Sequence, residues 1–211
     1  MGSGVTLYLG APGAGKSFLM REHVAKLAAL PDAPVFFIVN HGEKPGEPSW
    51  ADLPGADFFS TTAEWWGRPS AVAVFPGDNP LAVARLTLDV GTAVLVDDEI
   101  DLALGSCRWR ARPDHPEDGD SPLRTIVKRG RHARNKAGYV TEVGALIATH
   151  RPANLPTDLS GLFSRVYVGR LVSFNDADRV YREGWISAPN AAAAKAQLEA
   201  FEPGAFSVWP I

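Results

Sequence analysis

The apolar run VTLYL at residues 5–9 passes without a break into GAPGAGKS at residues 10–17. The octet fits G-x-x-x-x-G-K-[S/T], with Gly10, Gly15, Lys16 and Ser17 at the defining positions. The spacing has a physical cause. Glycines let the backbone curl until successive N–H groups point at one phosphate chain. The helix that follows aims the positive end of its dipole at the same anion. The pattern predicts a nucleotide site built from Gly10, Ala11, Pro12, Gly13, Ala14, Gly15, Lys16, Ser17 and Phe18. Lys16 would reach the β- and γ-phosphates, and Ser17 would set its hydroxyl on Mg²⁺. ATP and Mg²⁺ are the expected cofactors.

Outward from this loop, short apolar segments rich in β-branched residues lie at 35–39, 71–75, 93–96, 145–149 and 165–169. Such runs read as strands buried on both faces. Helical patterns stand at 16–29, 80–89, 121–135 and 190–201. The alternation predicts a mostly parallel sheet with helices on both faces, in a single domain over 1–211. Residues 41–55 and 105–122, rich in Pro, read as long irregular loops.

The strand in TAVLVDDEID (92–101) ends in acids. A phosphate-loop ATPase needs a carboxylate there for Mg²⁺ and a second group to polarise the attacking water. Strand alternation would point Asp97 and Glu99 one way and Asp98 the other. The Asp-Glu pair suggests Asp98 for Mg²⁺ and Glu99 as base. The four apolar residues before the first acid favour Asp97 for Mg²⁺ instead. Both registers stay open.

Bulk properties narrow the function classes. A chain of 211 residues, 45% hydrophobic and 21% charged, can bury a sizeable core. A net charge of −3 excludes a global basic footprint, so any nucleic-acid contact must be local. The single cysteine, Cys107, excludes an internal disulfide and a cysteine metal site. No apolar run is long enough to span a bilayer, and the start lacks the pattern of a signal peptide. With the loop within ten residues of Met1, no accessory domain is expected before it.

Residues 124–171 add a narrower signal. They contain Gly130-Arg131-His132, the apolar strand ALIAT at 145–149, and Thr149-His150-Arg151-Pro152. With the phosphate loop and the acidic strand end, this resembles the FtsK/HerA superfamily of DNA-pumping ATPases. That family has a basic helix with a "GR" element, then a strand ending "TQRP". The resemblance implies an α/β fold of the P-loop NTPase kind, RecA/ASCE-like. It implies that His150 stands where the family has a glutamine that senses the γ-phosphate or positions water. An imidazole can make the same hydrogen bonds. By its shortness the chain is most similar to the genome-packaging ATPases of membrane-containing icosahedral viruses. The implied partners are double-stranded DNA, read without sequence preference, a capsid vertex or viral membrane proteins, and further copies of the chain in a ring of five or six. The implied location is the host cytoplasm or the virion. A small-molecule kinase and a nucleotide-switched assembly factor are the alternatives.

Residues 121–136 hold Arg124, Lys128, Arg129, Arg131, Arg134 and Lys136 and no acid. Arg124, Lys128 and Arg131 share one helical face. Ring ATPases use an arginine in trans to neutralise transition-state charge. Arg129 and Arg131 are the candidates, with Arg134 in reserve. Arg108, Arg110 and Arg112 around Trp109 form a second cluster, suited to DNA phosphates. His23, His41 and His115 show no ligand spacing.

Overall fold

A strand that is apolar on both faces is stable only where both faces are covered. VFFIVN at 35–40 meets that condition, and its residues from Phe36 to Asn40 are buried. The computed structural model describes residues 4–42, 49–76, 80–100, 121–130 and 132–210. Eight strands form one sheet: β1 Val5–Leu9, β2 Val35–Asn40, β3 Ala56–Phe58, β4 Val72–Pro76, β5 Ala93–Asp97, β6 Gly144–Thr149, β7 Arg165–Val168 and β8 Ser207–Pro210. Their spatial order is β3-β4-β2-β5-β6-β1-β7-β8. All pairs are parallel except β7 with β8.

The helices are α1 Lys16–Ala28, α2 Thr62–Gly67, α3 Pro80–Val90, α4 Pro122–Arg129, α5 Phe174–Arg182 and α6 Ala191–Glu199. Alternation along each strand sorts the core into two layers. On one face Tyr8, Phe36, Ile38, Val74, Val96 and Leu146 pack with Met20 and Val24 of α1. On the other, Leu7, Phe37, Phe75, Leu95 and Ile147 pack with residues of α2 to α6. The expected mostly parallel sheet, flanked by helices on both faces, is what forms. Beneath α1, the buried Tyr8 hydroxyl and Nδ1 of His23 share a hydrogen bond of 2.5 Å, and Tyr8 stacks on Tyr167 of β7. Burial, then the charge of Lys26, holds His23 below the ordinary imidazole range, which favours the neutral ring. This polar contact ties α1 to β1 and β7.

The structure corrects the expected elements in places. The helix expected over 121–135 ends at Arg129. Gly130 lies so close to β6 that a Cβ there would overlap the Val143 carbonyl oxygen. The buried Thr141 hydroxyl then bonds the carbonyls of Gly130 and Ala133, turning the chain back. Residues 134–140 form a tight hairpin, with the Asn135 side chain accepting from the N–H groups of Ala137 and Tyr139. Strands β3 and β8 and helices α2 and α5 were not expected. The long loop at 41–55 contains a short 3-10 turn, Trp50–Asp52, capped by Ser49.

The Gly130 contact yields a stability test. Gly130→Ala must push β6 and α4 apart, an overpacking strain of about 3 kcal/mol. Thermal unfolding should shift down by about 6–12 °C for a chain of this size. Gly161, where an added Cβ meets nothing within 4 Å, is the control, and Gly161→Ala should move the midpoint far less. An unchanged midpoint for Gly130→Ala would show that Gly130 does not pack tightly against Val143.

Candidate nucleotide site

In a parallel sheet the strands' carboxyl ends gather the functional loops. Here β1 delivers Gly10, β5 delivers Asp97, β6 delivers Thr149 and His150, and β2 delivers Asn40 and His41. Strand β6 lies between β1 and β5. His150 therefore stands on the edge between the loop and the acids, which are two strands apart.

The loop has the shape that its glycines predict. Gly13 and Gly15 adopt φ of +76° and +88°, left-handed values that disfavour any side chain. A Cβ on Gly10 would lie 2.9 Å from the Ala14 Cβ. Ala14 is buried, and its N–H donates back to the Ala11 carbonyl at 3.1 Å. The Lys16 ammonium donates to the carbonyls of Gly10 at 2.8 Å and Ala11 at 3.2 Å, so it crosses the mouth of the loop. Gly15 opens α1 with no side-chain cap, and the first turn holds no acid. The first N–H groups of that helix lack intrahelical partners and suit an anion. The Phe18 ring is 59% exposed, so its expected contribution reduces to its backbone N–H.

The three acids separate. Asp97 is 1% exposed and accepts from His41 Nε2 at 2.8 Å and from the Glu99 N–H at 3.3 Å. It fixes the turn that ends β5. Asp98 lies on the α1 face, where it accepts from the Trp50 indole N–H at 3.3 Å. Trp50 packs in the same core layer as Met20 and Val24 of α1. Burial, then the adjacent Asp97 charge, pushes the Asp98 carboxyl up to about 6, against the pull of His41 and Trp50. After Glu99 the chain crosses to β6, the Ile100 N–H donating to Ala148 O at 3.1 Å. The Ser17 hydroxyl and the carboxylates of Asp97 and Asp98 are oxygen donors of the kind Mg²⁺ takes, a cation that needs few protein ligands beside phosphate and water. Among the described residues no three His, Cys, Asp or Glu side chains converge as a metal site of their own.

His150 and Arg151 line a cavity of about 480 Å³ with Ala11, Pro12, Asn154 and Asp176. The cavity adjoins the phosphate loop and opens beside the helix end of α5. Asp176 there is buried and accepts from the Ala153 N–H at 3.1 Å. Arg151 is therefore an arginine beside the loop of its own chain. Sequence reading passed over it.

His41 and Trp50 were also missed. Register places Val39 opposite Asp97, so His41 overhangs the acidic turn. No spacing in the sequence reveals this, because it depends on β2 lying beside β5. Arg129 is elsewhere. It ends α4 and lies at the entry of β6, near Val5 at the start of β1. The length of β1 separates it from the phosphate loop, roughly 15 Å at the usual rise per residue. Arg124 and Lys128 pair with Asp158, the latter at 3.7 Å, so that basic face is partly neutralised within the chain. Arg134 donates to the Gly138 carbonyl at 2.6 Å. Arg131 and the cluster Arg108, Arg110 and Arg112 lie outside the described residues.

No protein-family model matches the sequence, and no curated protein matches it. Solved structures do. The genome packaging NTPase B204 from Sulfolobus turreted icosahedral virus 2, in complex with ATP-gammaS, superposes with a TM-score of 0.65 at 14% identity, over 99% of this chain and 92% of that one. Its complex with AMP gives 0.63 at 13% identity, over 99% and 92% of the two chains. B204 described as the DNA-packaging ATPase from Sulfolobus turreted icosahedral virus gives 0.65 at 12% identity, over 99% and 93%. Along nearly its whole length, this chain has the fold of those viral packaging NTPases.

Proposed function

We propose that this chain is an ATP-hydrolysing motor that drives double-stranded DNA, without sequence preference, into a viral capsid. The observation that carries the reading is the sheet edge itself. A complete phosphate loop and an acidic strand end stand either side of β6, with His150 between them. The likeness in fold to viral packaging NTPases supports the packaging role. We assign the site as follows. The N–H groups of Gly13 and of Gly15 to Phe18 hold the phosphates, and Lys16 exchanges its loop carbonyls for the β- and γ-phosphate oxygens. Ser17 and Asp98 hold Mg²⁺, which would neutralise charge on the phosphates. Glu99 takes the proton from a water as the water's oxygen attacks the γ-phosphorus and the bond to the β-phosphate oxygen breaks. His150 orients that water or the γ-phosphate. Arg129 and Arg131 serve a neighbouring copy in a ring, and exposed arginines touch DNA phosphates.

Phosphate release with and without double-stranded DNA tests the whole reading. DNA should stimulate the parent at low salt, the stimulation should fade as salt rises, and Lys16→Ala should abolish release in both conditions. Release with no response to any DNA would favour the assembly-factor alternative.

The register of the metal carboxylate has its own test. Asp98→Asn should weaken Mg²⁺-dependent nucleotide binding by about tenfold or more, because a ligand charge is lost. Asp97→Asn should mainly loosen His41 and the acidic turn, and so lower stability before metal dependence. The reverse pattern, read by calorimetric titration with Mg²⁺ varied, would move the metal to Asp97.

Arg129 is tested by mixing. Its position at the far end of the sheet bars a role in its own chain's site. Arg129→Ala should leave nucleotide affinity of the single chain intact and lower the rate by about 10³ or more. Combined with Lys16→Ala chains it should regain turnover, since a sound arginine then meets a sound loop. Mixtures no more active than either variant would remove Arg129 from the chemistry and point to Arg151.

A further inference from the structure

The phosphate loop is tied to its surroundings by three backbone hydrogen bonds, and one comes from the far end of the chain. The Gly10 N–H donates to Thr149 O at the end of β6 at 3.4 Å, and the Ala11 N–H to Arg170 O beyond β7 at 2.7 Å. The third runs the other way: the Gly204 N–H donates to the Ala14 carbonyl at 3.1 Å. Gly204 sits in the turn between α6 and β8, where the Ala205 N–H donates to Glu202 O at 3.0 Å. Its φ is +85°, a conformation glycine adopts at little cost. The backbones also touch, since a Cβ on Gly15 would lie 3.2 Å from Gly204 Cα. Two residues on, the Phe206 ring covers Gly169, where a Cβ would lie 2.8 Å from it. The Gly169 N–H donates to Leu9 O at 2.7 Å, and the next residue supplies the carbonyl that holds Ala11. One short turn thus braces both ends of the loop.

We infer that the turn 202–206 is a positioning element for the phosphate loop, and that Gly204 and Phe206 set nucleotide affinity without touching the nucleotide. The inference rests on the loop being the nucleotide site. A peptide unit is planar and trans, so its C=O and the next N–H point opposite ways. Gly204 fixes the Ala14 carbonyl outward, and the Gly15 N–H is thereby turned inward. Lys16 holds the Gly10 and Ala11 carbonyls across the mouth, a separate restraint that phosphate would replace. A loop whose N–H groups already converge gives up less conformational freedom when the anion arrives, and that saving is affinity. Without the brace, the Ala14–Gly15 peptide is at liberty to rotate and present a carbonyl to the phosphates.

Three variants and two readouts test this. Gly204→Ala strains the turn without a clash, since an added Cβ there meets nothing within 4 Å. Gly184→Ala is its matched control: φ is +72°, space is equally open, and Gly184 ends α5 away from the loop. Phe206→Leu removes the ring over Gly169 and replaces Gly204→Ala should that variant not fold. The readouts are amide hydrogen exchange of residues 10–17 in nucleotide-free protein and calorimetric ATP affinity. Gly204→Ala should speed loop exchange and weaken ATP by about tenfold, and Gly184→Ala should change affinity by less than about twofold. Unchanged loop exchange and ATP affinity in both Gly204→Ala and Phe206→Leu, with a parent that binds ATP, overturns the brace and leaves the nucleotide reading standing. Equal acceleration by both glycine variants reveals general destabilisation and also overturns it. A parent that binds no ATP, but whose loop exchange responds to Gly204→Ala alone, upholds the brace and defeats the nucleotide reading instead.

Discussion

A loop that must aim several backbone N–H groups at one point has to be held by its neighbours. Its own side chains are mostly glycine and alanine and cannot do it. In this chain the strands on either side of β1 supply the grip, through Thr149 and Arg170. That requires β1 to lie inside the sheet, with β6 on one flank and β7 on the other. Placing β6 there moves the acids of β5 one strand further away and opens the gap that His150 overlooks. The order of the strands is thus as much a part of the site as the residues that line it. The two-sided apolar character of β1, β2 and β5 follows from the same demand, because an interior strand of an α/β sheet has helices above and below.

The acidic end of β5 shows how the chain handles adjacent like charges. Asp97 and Asp98 follow one another, and the charge of Asp97 raises the cost of ionising Asp98. His41 takes one carboxylate and the Trp50 indole takes the other. The two are not treated alike. Asp97 is used up within the protein, by His41 and by the Glu99 N–H. Asp98 is half-buried, has the Trp50 indole as its one donor among the described residues, and is pushed up to about 6.

The parts of the fold legible in the sequence were those with strong local pattern. The phosphate loop, six of the strands and helices α1, α3 and α6 carry apolar runs or periods long enough to read alone. Strand β3 has three residues at a sheet edge, with Phe58 partly exposed, so no alternation can show. Helix α5, FNDADRVYR, buries only Ala177 and Val180 among its apolar residues. Strand β8 takes its order from antiparallel pairing with β7, a contact across some 40 residues. The site divides in the same way. Lys16, Ser17, Asp98, Glu99 and His150 belong to contiguous motifs. Arg151 stands in the same motif as His150 but carries no spacing that marks a role, whereas His41, Trp50 and Gly204 reach the site through strand order and chain return, which no single window of sequence contains.

The sheet also separates two kinds of positive charge. Lys16 and Arg151 stand at the carboxyl ends of the strands, beside the loop. Arg129, Arg134 and Lys136 stand at the opposite end, beyond the start of β6. No rotation of side chains spans the length of β1, so the second group cannot act on its own chain's loop. If it acts on a loop at all, the contact is head to tail, with one end of a chain meeting the other end of the next. Such heterologous contacts close into rings when the rotation between neighbours divides a circle, and otherwise run on as filaments. Arg151 makes the alternative equally concrete. An arginine already beside its own loop would let a single chain complete the chemistry without a neighbour. The two arrangements predict opposite concentration dependence for hydrolysis. A trans arginine makes the rate per chain rise with chain concentration until the ring is full, and a cis arginine leaves it flat.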